Sequence, residues 1–349
     1  MTGRVLLYGA TGFTGRMLAE ALAAEGFDLV LGGRDETRLA RVADRLDRPF
    51  RVFGLNGAEP LDRALCDVAV VLNAAGPFTD TAPAMMAACL RMGVHYLDLA
   101  GEWSVFAQAR DLSGAATAAG VMLMPGVGFT LAASDCLMAL AVDRAPDTVL
   151  LRVGLSRPLV MTRGTAIATG RLFEPWVLVR RDGVLCALPS GQEKHEFDFG
   201  FGMIEATAVS MPDVVAGQHT TGVRNMEFYC EAGWATRLAI KSAAAIAPWT
   251  DRRAWDMVAE VASLAWPSDP PPEALQRAGF VMVVETVDRW RRKTFTRMRT
   301  MDGYTVTART AREIVGRVLN GAVAPGFQTP AGLYGGEFIL GLGCAYLEP

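Results

Sequence analysis

Val5-Leu6-Leu7-Tyr8 runs directly into Gly9-Ala10-Thr11-Gly12-Phe13-Thr14-Gly15, and helix-compatible residues follow from Arg16 to Glu25. This order of apolar run, glycine loop and helix constrains the fold more than any other feature of the chain. A short, wholly apolar run suits a strand covered on both faces, as in a parallel sheet. Each glycine has its own reason to be there. Gly9 permits the tight turn out of the strand, Gly12 lets a pyrophosphate approach the backbone N–H groups, and Gly15 allows the helix to pack closely on the strand. Thr11 and Thr14 add hydroxyl donors on either side of Phe13. In this context the loop reads as a dinucleotide site rather than a bare turn.

The alternation continues downstream. Strands are expected at Leu29 to Leu31, Arg51 to Phe53, Val68 to Leu72, His95 to Leu99 and Val121 to Met124. Helices are expected between them at Thr37 to Leu46, Leu61 to Leu65, Ala82 to Met92 and Trp103 to Ala119. Such a chain forms a parallel sheet with right-handed crossovers. After a helix at Ser134 to Ala141 the pattern changes. Thr148 to Ser156 alternates like a strand, Val177 to Leu188 is strand material turning at Asp182-Gly183, and Phe280 to Met301 is a hairpin turning within 289–292. A helix is expected at Thr305 to Leu319, a core or interface helix over Ala331 to Leu347, and an exposed loop at Pro267 to Pro272. The fold class is therefore α/β. A Rossmann-type parallel-sheet domain occupies 1–130, with the C-terminal segment 321–349 packing back on it. A second α+β domain on a mixed or antiparallel sheet, over 131–320, binds substrate and dimerises.

Cofactor choice is decided at the end of the second strand, where an acid would take the ribose 2′-hydroxyl of NAD. Here the residues are Gly32-Gly33-Arg34, and an arginine suits a 2′-phosphate, with Arg38 one helical turn on. This favours NADP over NAD, although Asp35 could reach a ribose hydroxyl if Arg34 turned outward. Asn73-Ala74-Ala75-Gly76-Pro77-Phe78 leaves the fourth strand where such sheets place ligand, and its small residues leave room for the riboses. The next strand and its exit put His95, Tyr96, Asp98 and Glu102 within eight residues. Tyr96, Asp98 and Glu102 are the candidate catalytic groups, since a reductase needs a proton donor beside the atom that receives hydride. Each also has a structural reading, Asp98 as a hydrogen-bonder and Glu102 as a first-turn helix acid. Pro125-Gly126-Val127-Gly128-Phe129 ends the sixth strand, with Gly126 placed under the nicotinamide or serving as a hinge.

Composition excludes other classes. Lys and Arg number 34 against 37 Asp and Glu, a net charge of -3 with no basic excess for nucleic acid. Six widely spaced cysteines and three histidines form no zinc pattern, so no metal is expected. No secretory leader is legible at Met1-Thr2-Gly3-Arg4, and no segment reaches the roughly 20 apolar residues of a membrane span, so a cytoplasmic location is expected. The cluster Arg289, Arg291, Arg292, Lys293, Arg297 and Arg299 reads as a solvated edge or as an attractor for an acidic substrate or carrier protein. His195 and His219 are expected in loops, and no G-x-S-x-G context supports a serine hydrolase.

These motifs together resemble the saccharopine dehydrogenase-like oxidoreductases, within them the trans-acting enoyl reductase type. The resemblance rests on Tyr8 to Gly15, Gly33-Arg34, Asn73 to Phe78, Tyr96-Leu97-Asp98 with Gly101-Glu102, and Pro125 to Phe129. A weaker match closes the chain at Pro325 to Pro330. It implies an N-terminal NADP domain, a central mixed-sheet domain and a reductase activity. The expected reaction is hydride delivery to an activated C=C bond of a small-molecule, apolar or carrier-linked substrate, by a homodimer. The apolar residues of the second domain, Trp176, Trp234 and Trp249 among them, favour it. The alternatives are an imine reductase joining an amine and a carbonyl, with Arg163 and Arg171 positioning carboxylates, or a non-catalytic NADP sensor.

Overall fold

The computed structural model describes residues 3–156, 176–231, 271, 273 and 278–348. Arg163, Arg171, Trp234, Trp249 and most of the Pro267 to Pro272 loop lie outside the described residues. The chain divides into two compact units, one of Met1–Ala132 with Tyr304–Leu333, the other of Ala133–Gly303 with Tyr334–Pro349.

The first unit alternates as its sequence suggests: β1 (Arg4–Tyr8), α1 (Phe13–Ala24), β2 (Leu29–Gly33), α2 (Glu36–Leu46), β3 (Phe50–Val52), α3 (Ala58–Leu65) and β4 (Val68–Asn73). α4 (Phe78–Met92), β5 (His95–Asp98), α5 (Trp103–Asp111), α6 (Ser113–Ala118) and β6 (Met122–Met124) follow, and α7 (Phe129–Arg144) leads into the second unit. The expected single helix over Trp103 to Ala119 is two, which break at Leu112. The strands order as 3-2-1-4-5-6 in a wholly parallel sheet. Val5, Leu6 and Leu7 of β1 have no exposed surface. Burying each such side chain contributes roughly 1.5–3 kcal/mol, which is why this strand tolerates no alternation.

The chain returns to this unit earlier than expected. α9 (Gly303–Leu319) precedes β15 (Gly326–Phe327), which adds beside β6 as a seventh parallel strand. The segment Tyr334–Pro349 goes to the second unit instead of packing back on the first. In place of one helix over Ala331 to Leu347 there are α10 (Pro330–Tyr334), a 3-10 helix (Gly336–Leu342) and β16 (Ala345–Glu348). The glycines interrupt a continuous helix, and Gly335 and Gly343 adopt positive φ at either end of the 3-10 turn. β16 then pairs with β14 (Lys293–Thr300), where Glu348 meets Arg299 Nε at 2.6 Å and Arg297 Nε at 2.9 Å.

The second unit is built on a nine-stranded mixed sheet. It contains β7 (Thr148–Leu155), β8 (Trp176–Arg181), β9 (Val184–Pro189), β10 (Lys194–Asp198), β11 (Met203–Ala208), α8 (Asp213–Thr221), β12 (Met226–Glu231), β13 (Phe280–Asp288) and β14 (Lys293–Thr300). The main path runs β10-β11-β12-β7-β13-β14-β16, with only β12 and β7 parallel. His195 lies on β10 and His219 on α8, so neither is in the loop expected of it. Polar alternation at Lys194-His195-Glu196 hid the strand, because only Phe197 points to a visible apolar face. Phe197 joins Phe199, Tyr229, Val281 and Val283 in a buried cluster.

Candidate functional site

The glycine loop has the geometry that an anion site requires. Gly9 has φ +87°, and a Cβ there would lie 2.7 Å from the Ala75 nitrogen. A Cβ on Gly15 would lie 2.1 Å from the Gly9 carbonyl oxygen, so α1 can approach β1 only without a side chain at that position. Gly12 is different, since it is exposed and its Cβ would meet only the Gly9 oxygen at 3.6 Å. It is also the N-cap of α1, with no side chain bonded to the first-turn N–H groups. Those donors lie at the positive end of the helix, the arrangement that receives a phosphate. Thr11, Phe13 and Thr14 are all partly exposed around it, and the Phe13 ring meets Tyr304 edge-on at 5.2 Å.

The end of β2 carries the positive charge. Gly33 is buried and Arg34 exposed, with no hydrogen-bond or ion-pair partner for Arg34 among the described residues. Asp35 accepts the Arg38 N–H at 3.0 Å as the N-cap of α2, a use that ties its carboxylate to the helix. Beside the loop, Thr11, Arg16, Arg38, Arg41, Val42 and Arg45 line a concavity. Arg16 donates to the Thr11 carbonyl at 2.9 Å and Arg38 to the same oxygen at 3.4 Å, while Arg45 pairs with Glu20. Arg16, Arg41 and Arg45 were not singled out from the sequence. The spacing 38, 41, 45 on an amphipathic helix was the available signal, because it puts three guanidinium groups on one face.

The exits of β4, β5 and β6 are bound together by a buried polar chain. Asn73 donates to Thr81 Oγ1 at 3.1 Å and to the Tyr96 hydroxyl at 3.3 Å, and its Oδ1 accepts the Ala75 N–H at 3.0 Å. Tyr96 donates to Asp98 Oδ2 at 2.8 Å, while Asp98 Oδ1 accepts the N–H groups of Ala100 at 2.9 Å and Gly126 at 2.8 Å. Burial pushes the Asp98 carboxyl up to about 7 against these donors, and it raises the Tyr96 phenol well above its usual range. Tyr96 and Asp98 have no exposed surface. Glu102 is half-buried, and its two oxygens accept the N–H of Phe78 at 3.0 Å and of Gly101 at 2.9 Å. The first residue of α4 is thus capped by a carboxylate from the next strand's exit. Ala74, Ala75, Gly76, Pro77 and Phe78 are partly or wholly exposed beside it, and the Gly76–Pro77 peptide is cis. Gly126 is buried with φ +72°, and a Cβ there would lie 2.5 Å from the Phe106 ring, so packing alone requires glycine.

In the second unit a charge network crosses the sheet. Strand register places Arg152 beside both Glu227 and Glu285. Arg152 donates to each at 2.7 Å, Tyr229 donates to Glu227 at 2.7 Å, and Arg181 also pairs with Glu227. Glu285 further meets His195 Nε2 and Lys293 Nζ, each at 3.1 Å. Burial alone would raise the Glu285 carboxyl. His195, Arg152 and Lys293 outweigh it and hold Glu285 down at about 2. Among the described residues no group of His, Cys, Asp and Glu could hold a metal ion, and no helix is long and apolar enough to cross a membrane.

Comparison with known proteins agrees with this geometry. Residues 5–124 match the saccharopine dehydrogenase NADP binding domain. A trans-acting enoyl reductase of Mycobacterium leprae is 34% identical over 139 residues, 38% of this chain and 33% of that protein. One of Mycobacterium ulcerans is 33% identical over 115 residues, 31% of this chain and 28% of that protein. The chain therefore spans about a third of the length of these relatives. Among solved structures, the apo saccharopine dehydrogenase (L-Glu forming) of Saccharomyces cerevisiae aligns over 100% of both chains with a TM-score of 0.67 at 12% identity, a likeness of fold. The open first turn of α1, the side-chain-free approach at Gly9 and Gly15 and the arginines at β2 and α2 fit an NADP molecule. Residues 5–124, which include the glycine loop, are thus similar to the saccharopine dehydrogenase NADP binding domain, and the fold is like that of the yeast enzyme.

Proposed function

We propose that the chain is an NADP-dependent reductase that delivers hydride to an activated C=C bond of an apolar or carrier-linked substrate. The observation that carries the reading is the pairing of an uncapped α1 terminus at Gly12 with the exposed, acid-free Arg34 in a domain matched to an NADP-binding family. The names of the mycobacterial relatives support the C=C bond as the acceptor.

In this reading the N–H groups of Phe13 and Thr14 hold the pyrophosphate, helped by the hydroxyls of Thr11 and Thr14, while the Gly12 N–H closes the loop on the Gly9 carbonyl. Arg34 takes the 2′-phosphate through charge-assisted bonds, and Arg38 and Arg41 add positive potential at α2. Asn73 to Phe78 form the wall beside the riboses. The cofactor supplies the hydride. The chain's own work is to fix the backbone beside it, which Asn73, Tyr96 and Asp98 do from within the buried network. Glu102 does the same between Phe78 and Gly101, and as the half-buried member of the candidate trio it is the one within reach of a reacting group. The second unit serves substrate binding and dimerisation.

Titration of the protein with NADPH and NADH, alongside an Arg34→Ala variant, tests the cofactor assignment. NADPH is expected to bind more tightly, and Arg34→Ala to weaken NADPH by roughly 10- to 100-fold while leaving NADH unchanged. Equal affinities in the parent protein would contradict it. NADPH consumption with a panel of enones, enals and amine–carbonyl pairs tests the reaction, and activity confined to the amine–carbonyl pairs would overturn the C=C reading.

A further inference from the structure

The β13–β14 hairpin ends in a surface that the reductase reading does not use. Arg289-Trp290-Arg291-Arg292-Lys293-Thr294-Phe295 are seven consecutive exposed residues, with Trp290 54% and Phe295 57% exposed. Arg289 lies over the Trp290 ring at 4.0 Å and Arg292 at 4.7 Å, so two guanidinium groups rest against the indole. The turn beneath them is ordered by Asp288. Its Oδ1 accepts the N–H of Trp290 at 2.8 Å and of Arg292 at 2.9 Å, and its Oδ2 accepts Arg292 Nε at 2.6 Å. Lys293 is held by Glu285 at 3.1 Å. Arg289 and Arg291 have no acid partner among the described residues. Net positive charge thus concentrates on one hairpin of a chain whose formal net charge is -3.

We infer that this hairpin tip is an anchor for an anionic phospholipid surface. A solvated strand edge is protected by its charges alone, and an exposed tryptophan adds nothing to that protection. An indole flanked by arginines matches the requirement of a membrane interface, where the amphipathic ring sits at headgroup level and cations meet anionic headgroups. An acidic protein partner fits less well. A stable protein interface buries roughly 1,200–2,000 Å² around an apolar core, whereas this surface is a single turn of mainly charged residues. The anchor lets the protein lie on a lipid surface by its hairpin tip and, on the reading of an apolar substrate, joins that substrate to the phase where such molecules collect.

Co-sedimentation of the full chain with phosphatidylcholine vesicles, and with vesicles containing one quarter phosphatidylglycerol, tests the inference. Partition is expected onto the anionic vesicles at low salt and loss of it at high salt. Each unpaired arginine removed is expected to weaken partition roughly fivefold, so Arg289→Ser with Arg291→Gly weakens it roughly thirtyfold. Trp290→Ser is expected to weaken it about tenfold. Unchanged NADPH affinity and thermal midpoint show that these variants remain folded. Absence of partition onto anionic vesicles overturns the inference, as does partition that the variants leave unchanged. Binding of a purified acidic carrier protein that depends on the same residues, with no vesicle binding, reassigns the tip to a protein partner.

Discussion

Replacing Glu102 by Gln separates a positioning role from a proton-donating one. In the folded chain both carboxylate oxygens accept backbone N–H groups, from Phe78 at 3.0 Å and Gly101 at 2.9 Å. Whichever way the Gln amide turns, its NH₂ faces one of those donors. One charge-assisted bond, about 1.5–3 kcal/mol, is then lost, and the other becomes a weaker neutral bond. The carboxylate's favourable interaction with the α4 terminus, about 0.3–1 kcal/mol, disappears as well. Because Glu102 is half-buried, water recovers part of this, and a net loss of about 2 kcal/mol is expected. Urea unfolding followed by circular dichroism reads the loss, and NADPH titration reads the displacement of Gly76-Pro77-Phe78 as weaker binding. A change below about 0.5 kcal/mol with unaltered NADPH affinity would refute the positioning argument. If that result came with a turnover loss of about 10²–10⁴-fold, it would make Glu102 the proton donor instead.

Gly15→Ala places a methyl group 2.1 Å from the Gly9 carbonyl oxygen, so loss of NADPH binding and a lowered thermal midpoint are expected, measured by titration and calorimetry. Arg152→Met strands two buried carboxylates. With Arg152 only 23% exposed, a cost of about 3 kcal/mol is expected in urea unfolding, partly recovered when Glu285→Gln is added. Since Glu285 is held down at about 2 from an ordinary 4.5, the stability it contributes is present above pH 4.5 and is lost as the pH falls toward 2. Asp98 works in the opposite direction. Its folded carboxyl keeps a proton up to about 7 against an ordinary 3.8, so unfolding releases that proton between these values and stability declines as pH rises through them. Asp98→Asn is expected to remove this decline from the thermal midpoints of pH 4 to 7, and parallel profiles for parent and variant would contradict it.

The first unit was legible because its signals are local. Continuous apolar runs mark β1, β4 and β6, and the glycine loop falls where strand gives way to helix. The register-dependent features were not legible. That Arg152 lies between Glu227 and Glu285 depends on three strands drawn from distant parts of the sequence. β10 escaped notice because its polar residues face partners that pairing alone supplies, such as Glu285 for His195. The C-terminus misled for a related reason. Apolar residues from Ala331 onward resemble a helix by composition, but Glu348 has its partners in Arg297 and Arg299 on β14. At the site, residue types near the cofactor loop were visible in the sequence, whereas burial was not. Tyr96 and Asp98 stood out as chemical groups, yet the structure places them wholly inside, bonded to Asn73 and to backbone N–H groups. Asp35, weighed as a ribose ligand, is held by the start of α2.

The fate of deuterium from stereospecifically labelled NADPH shows whether hydride passes from the cofactor to carbon. Incubation with an α,β-unsaturated carbonyl substrate is expected to place deuterium from one face of the nicotinamide on the β-carbon of the reduced product. Deuterium recovered only on a nitrogen-bearing carbon from an amine–carbonyl pair would contradict the C=C assignment. Saturable NADPH binding with no transfer to any acceptor would contradict the enzyme reading altogether.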